Sequence, residues 1–272
     1  MWDILGIKGL ILGFLVFAPL ERLIAMHKGQ KILRPAWKLD LFYALFSSLI
    51  TKAGLIAIVA GMSLLASRWM PGALHAWLGS QPLWLQVPAA IIISDVGFYT
   101  VHRLFHKVPW LWQFHAVHHS IEHLDWLAGH RVHPVDQILT KGASLIPVFA
   151  LGFSDSAIAI YAAIYFWHSL LAHSNVGLTF GPLRWVFASP QFHHWHHANH
   201  PEAIDRNFAS QISALDVLFG THHMPGNTIP ERYGTSTPVP LDYVNQMLFP
   251  FRPVPPHLPP DDREARHKAA GR

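Results

Sequence analysis

The sequence predicts an all-α fold, namely an integral membrane bundle of three spans and a short helical hairpin that carries a histidine-rich helical cap on the cytoplasmic side. Hydrophobic residues make up 51% of the 272 residues and charged residues only 13%, which is unusual for a soluble protein. The apolar residues are collected into long runs, and histidines recur at helical spacing after them.

Three apolar runs predict membrane-spanning helices. They cover residues 4–20, 40–67 and 84–101, and each approaches or exceeds the length that crosses the hydrocarbon core. The first run has no basic region before it and no small-x-small cleavage site before Glu21, so we expect a retained helix rather than a secretory signal. Two shorter runs follow at residues 138–152 and 156–172, and they predict a tight hairpin that only partly penetrates the bilayer.

The distribution of basic residues predicts the orientation of these helices. Segment 68–83 carries only Arg68, whereas segment 21–39 carries Arg22, Lys28, Lys31, Arg34 and Lys38. The positive-inside rule therefore places segment 21–39 in the cytoplasm. Counting spans from there brings the end of the third span and both ends of the hairpin to the cytoplasmic face.

Ten histidines in four patterns predict a metal site at that face. The patterns are His102 with His106; His115 with His118 and His119; His168 with His173; and His193 with His196 and His197. Residues three and four apart share a helix face, so each pattern with that spacing can aim its imidazoles at a common point. Eight such histidines exceed what one tetrahedral zinc ion uses, and we expect two metal ions. Neutral imidazole suits iron, zinc, copper and nickel, and the residues leave that choice open.

His168 and His173 are five residues apart, which places them about 140° apart around a regular helix. Both can bind only if the helix ends or distorts near Ala172. His133 is an alternative to one of them or a partner behind the ligands, and His130 is undecided. The other histidines lack such spacing and are predicted to be solvated, interfacial or neighbours of the site: His27, His75, His123, His194, His200, His222, His223, His257 and His267.

Asp95 lies on the same predicted helix face as His102, two turns earlier. A carboxylate in an apolar span needs a partner. It either accepts a hydrogen bond from a ligating imidazole or caps a helix end, and both possibilities stay open.

Composition excludes several classes of function. The chain has no cysteine, so disulfides, thiolate metal sites and cysteine nucleophiles are excluded. The net charge of +4 is scattered rather than gathered into a basic groove, which argues against nucleic acid and favours attraction to anionic lipid headgroups.

Ten prolines in residues 224–260 predict an extended tail. We therefore divide the chain into membrane helices at 1–83, a catalytic domain at 84–223 and a proline-rich tail at 224–272.

The ordered motifs resemble one known family. They are DVGFYTVHRLFH (95–106), HAVHHS (115–120), RVHPVD (131–136), HSLLAHSN (168–175), FHHWHHANHPEAIDRNFAS (192–210) and LDVLFGTHH (215–223). Their order and spacing are similar to the histidine boxes of the fatty acid hydroxylase and sterol desaturase superfamily of membrane di-iron enzymes, from about Asp95 to Thr221. Asn207 also matches a family position, although any polar loop uses such a residue in a turn.

The resemblance implies a membrane-bound di-iron oxygenase that uses O2 to hydroxylate a C–H bond of a sterol, fatty acyl, ether or amino lipid. All ten histidines would hold the two iron ions, with Asp95, His133 and Asn207 behind them. Because the chain has no dinucleotide-binding fingerprint, electrons must come from an external donor of cytochrome b5, ferredoxin or reductase type. We expect a basic face with Arg103, Lys107 and Arg131 to dock an acidic donor.

Two alternatives remain. A lipid or carotenoid desaturase or hydroxylase would use the same chemistry. A histidine-rich membrane metal transporter or buffer belongs to a different class, and a transporter should hold its coordinating residues near the middle of the membrane. Nearly all the histidines lie beyond the ends of the apolar runs, which favours the enzyme.

Overall fold

The computed structural model describes residues 7–253, which form helices and connecting loops with two isolated β-bridges and no β-strand. The predicted all-α fold is confirmed for this range. The helices are α1 (Ile7–Leu23), α2 (Trp37–Phe42), α3 (Ser48–Ser67), α4 (Gly72–Gly79), α5 (Leu83–Lys107), α6 (Pro109–His119), α7 (Pro134–Leu151), α8 (Asp155–His173), α9 (Pro190–His196), α10 (Ala214–Leu218) and α11 (Tyr243–Leu248).

Two helical segments in the described range are long and apolar enough to cross a membrane. One runs over Trp37–Leu65, where a π-helical turn at Tyr43–Ser47 joins α2 to α3, and the other is α5. In the most apolar stretch of the first segment only 6% of residues are buried within the protein, as expected of a helix that faces lipid. These segments support a membrane protein.

The run predicted at 4–20 forms α1, which has 17 residues and contains Pro19. Residues 4–6 of that run lie outside the described residues. The two runs predicted to form a tight hairpin are α7 and α8, which pack mainly against α5 rather than against each other. Helix α3 also packs against α7. A side chain at Gly97 would collide with the Ala143 carbonyl, so glycine at this position allows α5 and α7 to approach closely.

Caps define where the histidine-bearing helices begin. Ser189 accepts a hydrogen bond from the Phe192 N–H at 3.2 Å, and Pro190 occupies the first turn of α9. At the start of α7, the His133 imidazole accepts from the Val135 N–H at 3.2 Å. The start of each helix is thereby fixed relative to the loop before it.

A buried ion cluster ties the segment before α2 to the loop after α6. The Arg34 side chain is 1% exposed, and its Nη2 lies 2.6 Å from carboxylate oxygens of both Asp40 and Asp125. Arg131 donates to the other oxygen of Asp40. Arg131 is therefore buried, and the prediction that it contributes to an exposed docking face is wrong.

The described part of the proline-rich tail lies over α6. Trp112 Nε1 donates to Thr237 Oγ1 at 2.9 Å, and Phe249 packs with Val117 in a shared cluster. Within this tail the chain forms α11, so residues 224–253 are not extended throughout.

Candidate metal centre

The structure gathers nine of the ten predicted histidines into two groups. Within each group the ring nitrogens that face inward all lie within 4.8 Å of one another. We call these the five-histidine group (His102, His106, His115, His119 and His196) and the four-histidine group (His118, His173, His193 and His197).

Two of the sequence patterns are divided between the groups. In α6, His115 and His119 join the five-histidine group and His118 joins the other, whereas the pattern that ends α9 gives only His196 to the five-histidine group. The expectation that each pattern converges on one point is therefore wrong. Residues four apart differ by about 40° around a helix, but adjacent residues differ by about 100° and diverge.

The divided patterns place the two groups side by side. Each of α6 and α9 contributes to both groups, and the imidazoles of His119 and His197 stack across the boundary at 4.6 Å. The sequence predicts two metal ions from the number of histidines, and the geometry offers two adjacent positions for them.

Within each group the Nε2 atoms face one another. The short Nε2 pairs are His102 with His115 (3.0 Å), His115 with His119 (3.1 Å), His119 with His196 (3.0 Å), His118 with His173 (3.1 Å), His173 with His193 (2.9 Å) and His193 with His197 (3.1 Å). The Nε2 atom of His106 is also buried and has no hydrogen-bond partner in the protein.

Backbone carbonyls hold the opposite nitrogen of several rings. The Nδ1 atoms donate to oxygens of Phe208 (from His102, 2.7 Å), Arg131 (from His118, 3.0 Å), Ser169 (from His173, 2.8 Å) and Arg206 (from His196, 2.8 Å). A carbonyl oxygen can only accept, so Nδ1 carries the hydrogen in each of these rings. The neutral ring then presents a lone pair at Nε2.

His118 and His173 show why this arrangement fits a metal ion. Both rings donate through Nδ1, so their Nε2 lone pairs face each other at 3.1 Å with no hydrogen between them. Protonation does not resolve the repulsion, because burial, and then the neighbouring His173, lower the pKa of His118 well below its usual range. A cation bound by both lone pairs does resolve it.

The spacing of the nitrogens also suits a metal ion. Two nitrogens bound about 2.1 Å from one ion are about 3.0 Å apart at a right angle and about 3.4 Å apart at a tetrahedral angle. The observed Nε2 pairs lie 2.9 to 3.1 Å apart. Nitrogens at this spacing can therefore bind the same ion.

Two carboxylates lie behind the five-histidine group. Asp136 Oδ2 accepts from His115 Nδ1 at 2.7 Å, and both side chains are buried. Asp205 Oδ1 lies 3.4 Å from His106 Nδ1, and its hydrogen bonds with His106 and Lys107 lower the pKa of Asp205 to about 2. Burial raises the pKa of Asp136 to about 7, and a cation in the group would favour its ionised form.

Sequence reasoning missed Asp136. In the sequence, Asp136 is marked only as an acidic residue in the first turn of a helix that follows His133 and begins at Pro134. An acidic residue at such a position ordinarily indicates compensation of the helix dipole.

His168 lies outside both groups. Its Nε2 donates to the Ala188 carbonyl at 2.8 Å. Helix α8 continues without distortion to His173, so the large angle between the two histidines persists and only His173 faces the site.

Asp95, His133 and Asn207 contact none of the grouped imidazoles. The Asp95 carboxylate accepts the backbone N–H groups of residues 210–212, so it holds a loop rather than a ligand or a helix end. His133 caps α7, and Asn207 Nδ2 donates to the Phe192 carbonyl at 2.9 Å. Asp95 and Asn207 do fix the loop that carries the carbonyls of Arg206 and Phe208. These carbonyls accept from His196 and His102, so Asp95 and Asn207 influence the two imidazoles indirectly, through the loop.

His194 and His27 form a separate buried contact through Tyr233. The Tyr233 hydroxyl lies 2.7 Å from His194 Nδ1 and 2.6 Å from His27 Nε2. His194 Nε2 donates to the Ser174 carbonyl at 3.0 Å, so the Tyr233 hydroxyl donates to His194 and accepts from His27. His27, predicted to be solvated or interfacial, is thus half-buried and hydrogen-bonded. His130 joins neither group, and His257 and His267 lie outside the described residues.

A comparison with protein families identifies the family of this chain. The fatty acid hydroxylase model matches residues 87–221, a range that contains all nine grouped histidines. The chain belongs to the fatty acid hydroxylase family. The resemblance carried by the histidine boxes is confirmed, and the metal requirement is implied by the family and by the two groups.

Similar proteins include enzymes that oxidise lipids. The chain is 30% identical over 219 residues to the ornithine lipid hydroxylase OlsE of Rhizobium tropici, a match that covers 78% of this chain and 66% of that protein. It is 29% identical over 151 residues to the alkylglycerol monooxygenase of Homo sapiens, covering 56% of this chain and 33% of that protein. The alkylglycerol monooxygenase of Danio rerio is 28% identical over 163 residues, covering 60% of this chain and 35% of that protein.

The chain therefore spans just under two thirds of the ornithine lipid hydroxylase and about a third of the alkylglycerol monooxygenases. No solved structure gives a significant match.

Proposed function

We propose that this chain is a membrane-bound di-iron oxygenase that hydroxylates a C–H bond of a lipid. The observation that carries the proposal is the pair of adjacent imidazole groups, in which Nε2 atoms face inward and several rings donate through Nδ1 to fixed acceptors. Membership of the fatty acid hydroxylase family supports the same chemistry. One ion would be held by the five-histidine group and one by the four-histidine group.

Two iron ions bound there would activate O2 to remove hydrogen from an unactivated C–H bond. The residues of the chain hold neutral imidazoles in fixed orientations and keep the site away from bulk water. Hydroxylation consumes the lipid, O2, two electrons and two protons, and it yields the hydroxylated lipid and water. An external donor of cytochrome b5, ferredoxin or reductase type would supply the electrons.

An ornithine-type amino lipid is the first substrate to test, because the relative that matches 78% of this chain is named for that activity. Ether lipids come next, since the alkylglycerol monooxygenases match a smaller share. A sterol or fatty acyl substrate is a further possibility within the same chemistry.

We place the active site on the cytoplasmic face of a multi-pass protein with three spans and a short hairpin. The basic residues of segment 21–39 support this orientation. Trp84 lies in the first turn of α5 and Trp110 lies just after its last residue, and both are exposed, as expected of aromatic residues at the two membrane interfaces. The division into 1–83, 84–223 and 224–272 stays a prediction.

Metal analysis and lipid analysis test the proposal. The purified full-length protein should contain close to two irons per chain, and an active preparation with no metal or with a single zinc would contradict it. Lipids of a host with and without the gene should differ by species that carry one additional oxygen. Loss of two hydrogens would indicate a desaturase, and metal uptake without any O2-dependent lipid product would indicate a transporter or buffer.

A further inference from the structure

A groove of about 310 Å³ runs along α5 beside Val96, Thr100 and Leu104. Its walls are apolar and come from α5 and α10. Its end near the last turn of α5 is basic. The apolar walls include Val96 and Leu104 of α5 with Leu215 and Phe219 beside them, and the basic end is formed by Arg103 and Lys107.

The groove lies on a face of α5 that is exposed in the described part of the chain. Helices α6, α7 and α8 pack on other sides of α5. Val96 and Leu104 are both more than two fifths exposed, and Phe219 on the other wall of the groove is also exposed. Because α5 is one of the two candidate membrane spans, lipid is the natural neighbour of this face.

Both cations have N–H groups available to donate hydrogen bonds to a ligand. Lys107 Nζ lies 2.7 Å from Asp205, but the side chain is 54% exposed and an ammonium has three donors. Arg103 Nη1 donates to the Tyr99 hydroxyl at 3.3 Å, and the guanidinium keeps further N–H groups for a ligand. The pair lies one turn apart at the end of an apolar span, at the level of lipid headgroups.

The length of the groove matches one leaflet. Eleven residues separate Val96 from Lys107, so α5 rises about 16 Å between them. The hydrocarbon core of a bilayer is about 30 Å thick, and one leaflet is about half of that. An acyl chain beside Val96 can therefore belong to a lipid whose phosphate is level with Lys107.

We propose that this groove binds one anionic phospholipid, with its phosphate against Arg103 and Lys107 and one acyl chain between α5 and α10. The proposal rests on the membrane location of α5 that is part of the proposed function, and not on the iron chemistry. An acidic electron donor is less favoured for these cations, because Arg131 is buried and the groove beside the other two is lined mainly by apolar side chains.

Native mass spectrometry of the full-length protein in mild detergent tests the site. Phosphatidylglycerol and phosphatidylcholine with identical acyl chains are added at matched concentrations, and the affinity of the first bound lipid is measured. Arg103→Gln and Lys107→Gln are compared with Lys28→Gln, which removes an exposed cation from segment 21–39. The Tm of every variant is measured to show that the fold is intact.

The wild type and Lys28→Gln should prefer one phosphatidylglycerol, and each of the other two variants should bind it about fivefold more weakly. Phe219→Ala should weaken both lipids, because it removes part of the groove wall. Equal affinity for the two lipids in the wild type, or unchanged phosphatidylglycerol binding in Arg103→Gln and Lys107→Gln, overturns the proposal. If those variants keep the lipid but lose binding to an acidic cytochrome b5, the cations serve the donor instead. Failure of the iron chemistry would leave these lipid affinities unchanged, so the two proposals are tested separately.

Discussion

Asp136→Asn tests whether a carboxylate supports one of the two imidazole groups. The carboxylate accepts from His115 Nδ1 at 2.7 Å, and the two side chains are 3% and 5% exposed. Asparagine keeps an oxygen that can accept the same hydrogen bond, so the orientation of His115 should persist while the negative charge is lost.

The expected effect follows from the loss of charge. A hydrogen bond to a charged group contributes about 1.5 to 3 kcal/mol, and a neutral one contributes about 0.5 to 1.5 kcal/mol. The midpoints of these two ranges differ by about 1.3 kcal/mol, which corresponds to roughly tenfold weaker binding of the ion in the five-histidine group. Replacing partners of ligating histidines typically costs tenfold to a hundredfold in metal affinity, which agrees with this size.

The assay is iron content per chain during challenge with a chelator. Asp136→Asn should lose one of its two irons about tenfold more easily than the wild type does. Asp155→Asn is the matched control, because Asp155 is an exposed aspartate in the first turn of the neighbouring helix α8. When Asp136→Asn is combined with His197→Ala, which damages the four-histidine group, the protein should lose both irons readily. Equal iron retention in Asp136→Asn and Asp155→Asn would refute the reasoning.

Three further predictions concern ligands, loops and pH. His197→Ala should reduce iron from two per chain to one and abolish lipid oxidation, whereas His168→Ala should keep two irons. Metal analysis of the two variants measures this difference. Loss of iron in His168→Ala would show that His168 is a ligand. Asp95→Asn weakens three backbone hydrogen bonds and should lower the free energy of unfolding by about 2 kcal/mol, which corresponds to a fall in Tm of about 5 °C. Thermal unfolding measures this fall, with Asp155→Asn as the control. An unchanged Tm would contradict the role of Asp95 in holding that loop. In the metal-free protein, burial lowers the pKa of His118 and His197 below that in the unfolded chain. Below about pH 6.5 the unfolded chain therefore binds more protons than the folded chain, and the free energy of unfolding should decrease as the pH is lowered. A stability that stays flat from pH 8 to pH 5 would contradict this assignment.

Periodic features of the sequence could be predicted because they depend on local geometry. The apolar run at 84–101 corresponds to α5, and the runs at 138–152 and 156–172 correspond to α7 and α8. Histidines four apart, such as His102 and His106, do share a helix face and a group. A helical period fixes these relations without knowledge of the partner helix.

Contacts distant in sequence could not be predicted. Asp136 reaches His115 across 21 residues, and Arg131 is buried against Asp40 across 91 residues. The carbonyls that hold the Nδ1 atoms belong to the backbone, so no residue type marks them in the sequence. The assignment of the divided patterns on α6 and α9 to the two groups depends on how these helices are rotated against each other, which spacing alone does not determine.

That rotation has a consequence for the chemistry. Since α6 and α9 each contribute imidazoles to both groups, neither group can move without the helices that also build the other. Pro109 at the start of α6 and the Ser189 cap at the start of α9 fix where those short helices begin. The distance between the two groups is therefore set by two short helices with fixed starts rather than by a bridging side chain. A substitution that unwinds the first turn of α9, such as Ser189→Ala, should for this reason weaken iron binding in both groups together, whereas Asp136→Asn should weaken it in one. Iron release in two separate steps from Ser189→Ala would show that the groups are held independently.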